Sequence, residues 1–173
     1  MKSGISDNYV QSVIRDRYGF MWFATLNGLD RYDGYQFKKY TTTQLGAYNN
    51  DIVSIAEDAE GNIWIKGPVS YYIYNREQDK LENKIQSILN KYGITGEVGY
   101  LTVDKDHNLW CTVMDTLFHY DFAKNRLHIF QLPEKQKIQQ IVCRRSCAYL
   151  LFSDGEIAHI DSNSPHILSL IHI

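Results

Sequence analysis

Apolar residues fall in short runs at strand spacing, and the runs themselves recur. "VQSVIRD" (10–16) is a β-type run ending at an aspartate. "FMWFAT" (20–25) follows it, with Phe20, Trp22 and Ala24 toward one side and Met21 and Phe23 toward the other. A strand that is apolar on both faces must be covered on both. A turn at "LNG" leads into "LDRYD", and "YQFKKY" supplies a further strand, so the pattern predicts a four-stranded antiparallel meander. One segment breaks this period. "LENKIQSILNKYG" spaces Ile85, Ile88, Leu89 and Tyr92 as one helical stripe and stops at Gly93, which predicts a helix over 84–92. It packs on the strand units or, on the alternative reading, docks a partner.

The meander repeats. Trp22, Trp64 and Trp110 stand 42 and 46 residues apart. Six positions before each is an aspartate (Asp16, Asp58, Asp104), and three before are Gly19, Gly61 and His107. Ten after are Tyr32, Tyr74 and Tyr120. The aspartate is expected to cap a tight turn whose third following residue takes positive φ, a conformation easy for glycine and tolerated by histidine. Gly28 belongs to the next turn, and Asp33, Asn75 and Asp121 share an offset that suits the start of another. A weaker fourth copy has Tyr149 or Leu150 near the tryptophan's place. Units that are apolar on both faces and repeat every 40-odd residues need each other as neighbours. The fold class is therefore all-β: a partial β-propeller of three to four blades with one short helical insertion. A β-sandwich is the runner-up, and it gives no reason for fixed offsets. The blades are placed at 5–44, 50–82, 98–132 and 138–163.

Composition narrows the function classes. The 173 residues carry 18 basic and 20 acidic side chains, so no basic stripe argues for nucleic acid. The N-terminal "MKSGISDNYV" lacks the apolar stretch of a signal peptide, and no run has the length of a membrane span. Cys111, Cys143 and Cys147 read as packing thiols, with a Cys143–Cys147 hairpin disulfide as the alternative.

Candidate chemistry is sparse. No nucleophile elbow, phosphate loop, dinucleotide fingerprint or zinc motif occurs, and neither a catalytic residue, a metal nor a cofactor is expected. Asp30 and Asp33 resemble paired carboxylates, but the repeat accounts for Asp33 better. Tyr71, Tyr72 and Tyr74 form an aromatic stripe, in which alternation puts Tyr72 and Tyr74 on one face, assigned to the core ahead of ligand stacking. Arg144 and Arg145 lie in a turn, solvated or in contact with an anion.

The first unit resembles the repeat of the two-component regulator propeller family. Asn8, Val10, Ile14, Asp16, Gly19, Trp22, Thr25, Gly28, Leu29, Arg31, Tyr32, Asp33, Gly34 and Phe37 all stand where that repeat has them. The second unit departs at "IKGPVS" and the third at "TVMDT". The resemblance implies the periplasmic sensor of a hybrid histidine kinase, responsive to oligosaccharides. Its partners would be further blades, an immunoglobulin-like domain, a kinase core and a second copy of itself. On this reading the chain is a fragment cut at both ends, forming an open arc that associates through its bare faces, with 138–161 least ordered. The closing "LSLIHI" resembles a translated sequencing adaptor, so 169–173 is treated as a non-native tail. Two alternatives are a propeller enzyme resembling the streptogramin lyases and a general protein-interaction scaffold.

Overall fold

The computed structural model describes residues 4–132, 138–144, 147–162, 164 and 167–171. Sixteen strands form four antiparallel sheets. The first sheet contains β1 (Val10–Arg15), β2 (Met21–Thr25), β3 (Gly28–Tyr32) and β4 (Phe37–Tyr40). The second has β5 (Ser54–Glu57), β6 (Ile63–Lys66), β7 (Tyr71–Asn75) and β8 (Lys80–Glu82). The helix α1 (Ile85–Leu89) and a 3-10 turn (Asn90–Tyr92) come next. The third sheet has β9 (Val98–Val103), β10 (Leu109–Val113), β11 (Thr116–Asp121) and β12 (Arg126–Gln131). The fourth has β13 (Ile138–Arg144), β14 (Cys147–Phe152), β15 (Ile157–Asp161) and β16 (Ile167–Ile171). Each sheet is a meander in chain order. Two compact units divide near Ile85, with two sheets in each.

The aspartate turn is the same in three sheets. Asp16 Oδ1 accepts from the backbone N–H of Tyr18 and of Phe20, and Oδ2 accepts from Trp22 Nε1 at 2.9 Å. Asp58 and Trp64 repeat this at 2.8 Å, and Asp104 and Trp110 at 2.9 Å. One carboxylate therefore closes the turn with one oxygen and fixes the indole with the other. The six-residue offset follows from that double duty. The third following residue is left-handed each time: Gly19 (φ 89°), Gly61 (φ 88°) and His107 (φ 63°).

In the first unit, Trp22, Ala24, Leu29 and Tyr40 of one sheet meet Ile63, Ile65, Tyr72 and Tyr74 of the next. Tyr72 and Tyr74 are core residues, as alternation predicts. In the second unit, Trp110, Leu117 and Phe130 meet Ile141, Leu150, Phe152 and Ile160. Trp22 and Trp110 thus fill space between blades, and Trp64 is buried as well. The helix also forms where its stripe predicts, with Leu89 and Tyr92 buried and Gly93 ending it at φ 78°. Tyr92 packs on the rings of Tyr120 and Phe122.

The fourth sheet selects one of two alternatives and extends beyond its expected end. Its tryptophan position belongs to Tyr149, not Leu150. Tyr149 stacks on its cross-strand partner His159, as Trp110 stacks on His119, while Leu150 faces the core. The sheet also runs past 163 to Ile171, because Ile167–Ile171 pairs with β15 as its outer strand. That strand takes in part of the stretch treated as a tail. Arg144 ends β13, while Arg145 lies outside the described residues.

All three cysteines are free thiols. Cys143 pairs with Ala148 and Arg144 with Cys147, so alternation puts Cys143 and Cys147 on opposite faces of their hairpin. Burial pushes the Cys111 thiol up to about 12. Alkylation of the native protein near neutral pH is expected to leave Cys111 unlabelled, and alkylation in denaturant without reductant to label all three. A mass consistent with a Cys143–Cys147 disulfide would contradict this register.

Candidate ligand cleft

The repeat residues build the frame rather than a site. Asp33 Oδ1 accepts from the N–H of Tyr35 and Gln36, Asn75 Oδ1 from that of Gln78, and Asp121 Oδ1 from that of Lys124. Tyr32 donates to the Gly34 carbonyl, Tyr74 to Asp79 and Tyr120 to Asn125. Gly28 has φ 127° and a backbone so close to the Tyr40 carbonyl that a Cβ would lie 2.7 Å from it. Asp30 and Asp33 do not converge: Asp30 is buried and accepts from the N–H and hydroxyl of Ser6.

Charged groups that sequence reasoning missed clasp the two blades of the first unit. Arg31 of β3 lies over the rings of Phe20 and Trp22 and bonds Asp79 at 3.1 Å. Asp79 sits in the β7–β8 turn at φ 49° and also accepts from Lys38, Tyr40 and Tyr74. In the same turn Arg76 pairs with Asp16 at 3.1 Å, and in the β1–β2 turn Arg17 pairs with Glu57 at 3.0 Å. Partners about 40 or more positions apart leave no local signal.

Burial by itself would raise the Asp79 carboxyl. The hydrogen bonds from Lys38, Tyr40 and Tyr74 and the Arg31 charge outweigh it and hold Asp79 well below its ordinary 3.8. A carboxyl depressed in the folded state adds stability above its unfolded pKa and loses it as pH falls through the folded one. Asp58 and Asp104 have the opposite sign, since burial raises both. The mutant difference therefore isolates Asp79. The gap in melting temperature between the native chain and Asp79→Asn is expected to narrow as pH falls from 6 into the acid range below about 3. A constant gap would show that the charge of Asp79 does not stabilise the seam.

The other end of the first unit, away from the aspartate turns, carries a cleft of about 380 Å³. The chain from 41 to 53 and the β6–β7 turn form its walls. Asn50 Oδ1 accepts from the N–H of Thr42 and Thr43, and Thr42 Oγ1 donates to the Asn49 carbonyl. Ile52 is buried and its N–H donates to the Thr25 carbonyl, so the loop is anchored at its base. Opposite, Gly67 N–H donates to the Ser70 carbonyl. A Cβ at Gly67 would lie 3.2 Å from the Tyr72 ring, so its absence lets Pro68 and Val69 close the wall. Tyr48 is 102% and Val69 94% exposed, beside the polar groups of Asn49, Asp51 and Ser70. Gln11 donates to Asp51 Oδ1 at 2.5 Å and so orients that carboxylate. A ring standing in solvent beside hydroxyl, amide and carboxylate groups suits a ligand with an apolar face and many hydroxyls.

The family described as "two component regulator propeller" matches residues 4–27 and 49–67. These two segments are similar to the two-component regulator propeller repeat. No curated protein matches by sequence. Solved structures that match these repeats include two extracellular domains from B. thetaiotaomicron described as hybrid two component systems. One is 22% identical with a TM-score of 0.61, covering 98% of this chain and 25% of that one. The other is 19% identical with a TM-score of 0.64, covering 99% and 24%. The chain thus spans about a quarter of these domains. Virginiamycin B lyase from Staphylococcus aureus also matches, at 15% identity and a TM-score of 0.56, covering 100% and 58%. At these identities the likeness concerns the fold: the four sheets are those of a partial β-propeller. Among the described residues no helix is long and apolar enough to cross a membrane.

Proposed function

We propose that this chain is a ligand-sensing segment of the periplasmic region of a hybrid two-component histidine kinase. It binds an oligosaccharide in the Tyr48 cleft and passes the event on without catalysing a reaction of its own. Further blades, an immunoglobulin-like domain, a kinase core and a second copy complete the receptor, and nucleic acid is not a partner of this segment. The observation that carries the reading is the Tyr48 ring, exposed on an anchored loop beside Asn49, Asp51 and Ser70. Loops held on a rigid scaffold are where repeat folds place recognition. The propeller repeats and the likeness to extracellular domains of two-component systems support it. The likeness to a lyase favours a second reading, a propeller enzyme. The cleft lining offers Asp51 and two tyrosines for acid–base chemistry and no histidine, the residue that most often carries it.

Binding is tested by calorimetry against a panel of neutral plant and host oligosaccharides. At least one is expected to bind, and Tyr48→Ala to weaken it at least tenfold, about 1.4 kcal/mol. No binding across the panel, or binding indifferent to Tyr48→Ala, would overturn the assignment. Turnover of a bound sugar would favour the enzyme.

A further inference from the structure

The second unit carries a separate cleft of about 580 Å³ along β12, a volume within the usual range for small-molecule sites. β12 is the end strand of its sheet, so its outer edge is unpaired by the sheet. Lys124, Arg126 and His128 line one side, and Ser162 and Ser164 face in from the end of β15. Ile129, 62% exposed, adds an apolar ledge. No carboxylate is among the described residues that line it. Asp121, on the strand before, is paired with Lys124 at 3.2 Å.

His128 is lowered from its ordinary value by burial first and then by the Arg126 charge, with Asp121 opposing and Lys124 adding. Behind it, burial takes His119 down to about 4, with the His128 and Lys124 charges adding to the effect. Both imidazoles are therefore neutral near pH 7 and leave the two cations to set the charge. Arg126 on an edge strand and Lys124 in the turn before it, facing two hydroxyls across a partly apolar floor, suit a negatively charged group on a small ring-like molecule.

We propose that this cleft binds the oxyanion of a small ligand, a carboxylate or a sulfate. Arg126 and Lys124 hold the charge, Ser162 and Ser164 donate hydrogen bonds, and Ile129 carries the ligand's apolar face. The site shares no residue with the Tyr48 cleft, so either can fail without the other.

The test is calorimetry of the chain at low salt with glucuronate, glucose 6-sulfate, inorganic sulfate and glucose. At least one anion should bind, glucose should not, and added salt should weaken the anion. Lys124→Gln with Arg126→Gln should weaken binding at least tenfold, and Arg126→Lys alone should weaken it less. Backbone NMR shifts in the unmutated chain, expected over 124–130, 162 and 164, keep the test valid if a variant misfolds. Equal binding of sulfate and the sugar anions assigns the site to the oxyanion alone. Tighter binding of a sugar anion adds the ring contact with Ile129. The proposal is overturned by absence of anion binding, by glucose binding as well as the anions, or by indifference to the double variant. Shifts confined elsewhere would also overturn it.

Discussion

Trp64→Ala is expected to destabilise the chain by ~3–5 kcal/mol, the usual cost of truncating a buried tryptophan. Trp64 is 2% exposed, with Ile63 and Ile65 buried on either side in the strand and Ile73 as its cross-strand partner. The truncation leaves a cavity and also removes one of the two donors to Asp58 Oδ2, the indole at 2.8 Å, leaving the Asn62 amide. Tyr35→Ala is the control, since Tyr35 is 83% exposed, and it should stay within about 0.5 kcal/mol of the native chain. Chemical denaturation of both variants decides the matter. A Trp64→Ala chain as stable as the control would mean that the repeated indole is not a structural element.

Asp16→Ala should cost on the order of 3 kcal/mol, because it strips one buried and several part-buried donors of their acceptor at once. The N–H groups of Tyr18 and Phe20, the Trp22 indole and the Arg76 guanidinium all point at this one carboxylate. Asp16→Asn should not restore stability. An amide that keeps its oxygen on the turn presents its NH2 to the indole N–H, donor against donor. Denaturation of the two variants checks this, and full stability in Asp16→Asn would show that the second carboxylate oxygen contributes nothing.

These residues were legible because they repeat. The six-residue spacing of Asp16–Trp22, Asp58–Trp64 and Asp104–Trp110 is a local constraint, met wherever the turn is built. The frame could therefore be read from one sequence, and so could the helix at Ile85–Leu89 with its glycine stop. The fourth sheet was harder. Cys143 stands six before Tyr149, where the other blades have aspartate, so neither half of the signature remains. His159 opposite Tyr149, matching His119 opposite Trp110, was the signal that could have placed it.

The ligand cleft was not legible in the same way, for a physical reason. A binding loop is free of the packing constraint that keeps the frame periodic, so it leaves no repeat to align. The turn "IKGPVS" registered only as a departure from the cassette. The structure places that departure at the cleft wall, where Gly67 allows close approach to Tyr72 and Val69 projects into solvent. The interblade clasp of Arg31, Lys38 and Asp79 was invisible because its partners are 48 and 41 positions apart.

The assignment of recognition to this loop end is tested most directly by backbone NMR titration of the chain with a neutral oligosaccharide that binds. The account predicts shift changes concentrated at residues 42–51 and 67–72, with the aspartate turns at 16–20 and 58–62 unmoved. Perturbations centred on those turns, or spread evenly over the blades, would contradict it.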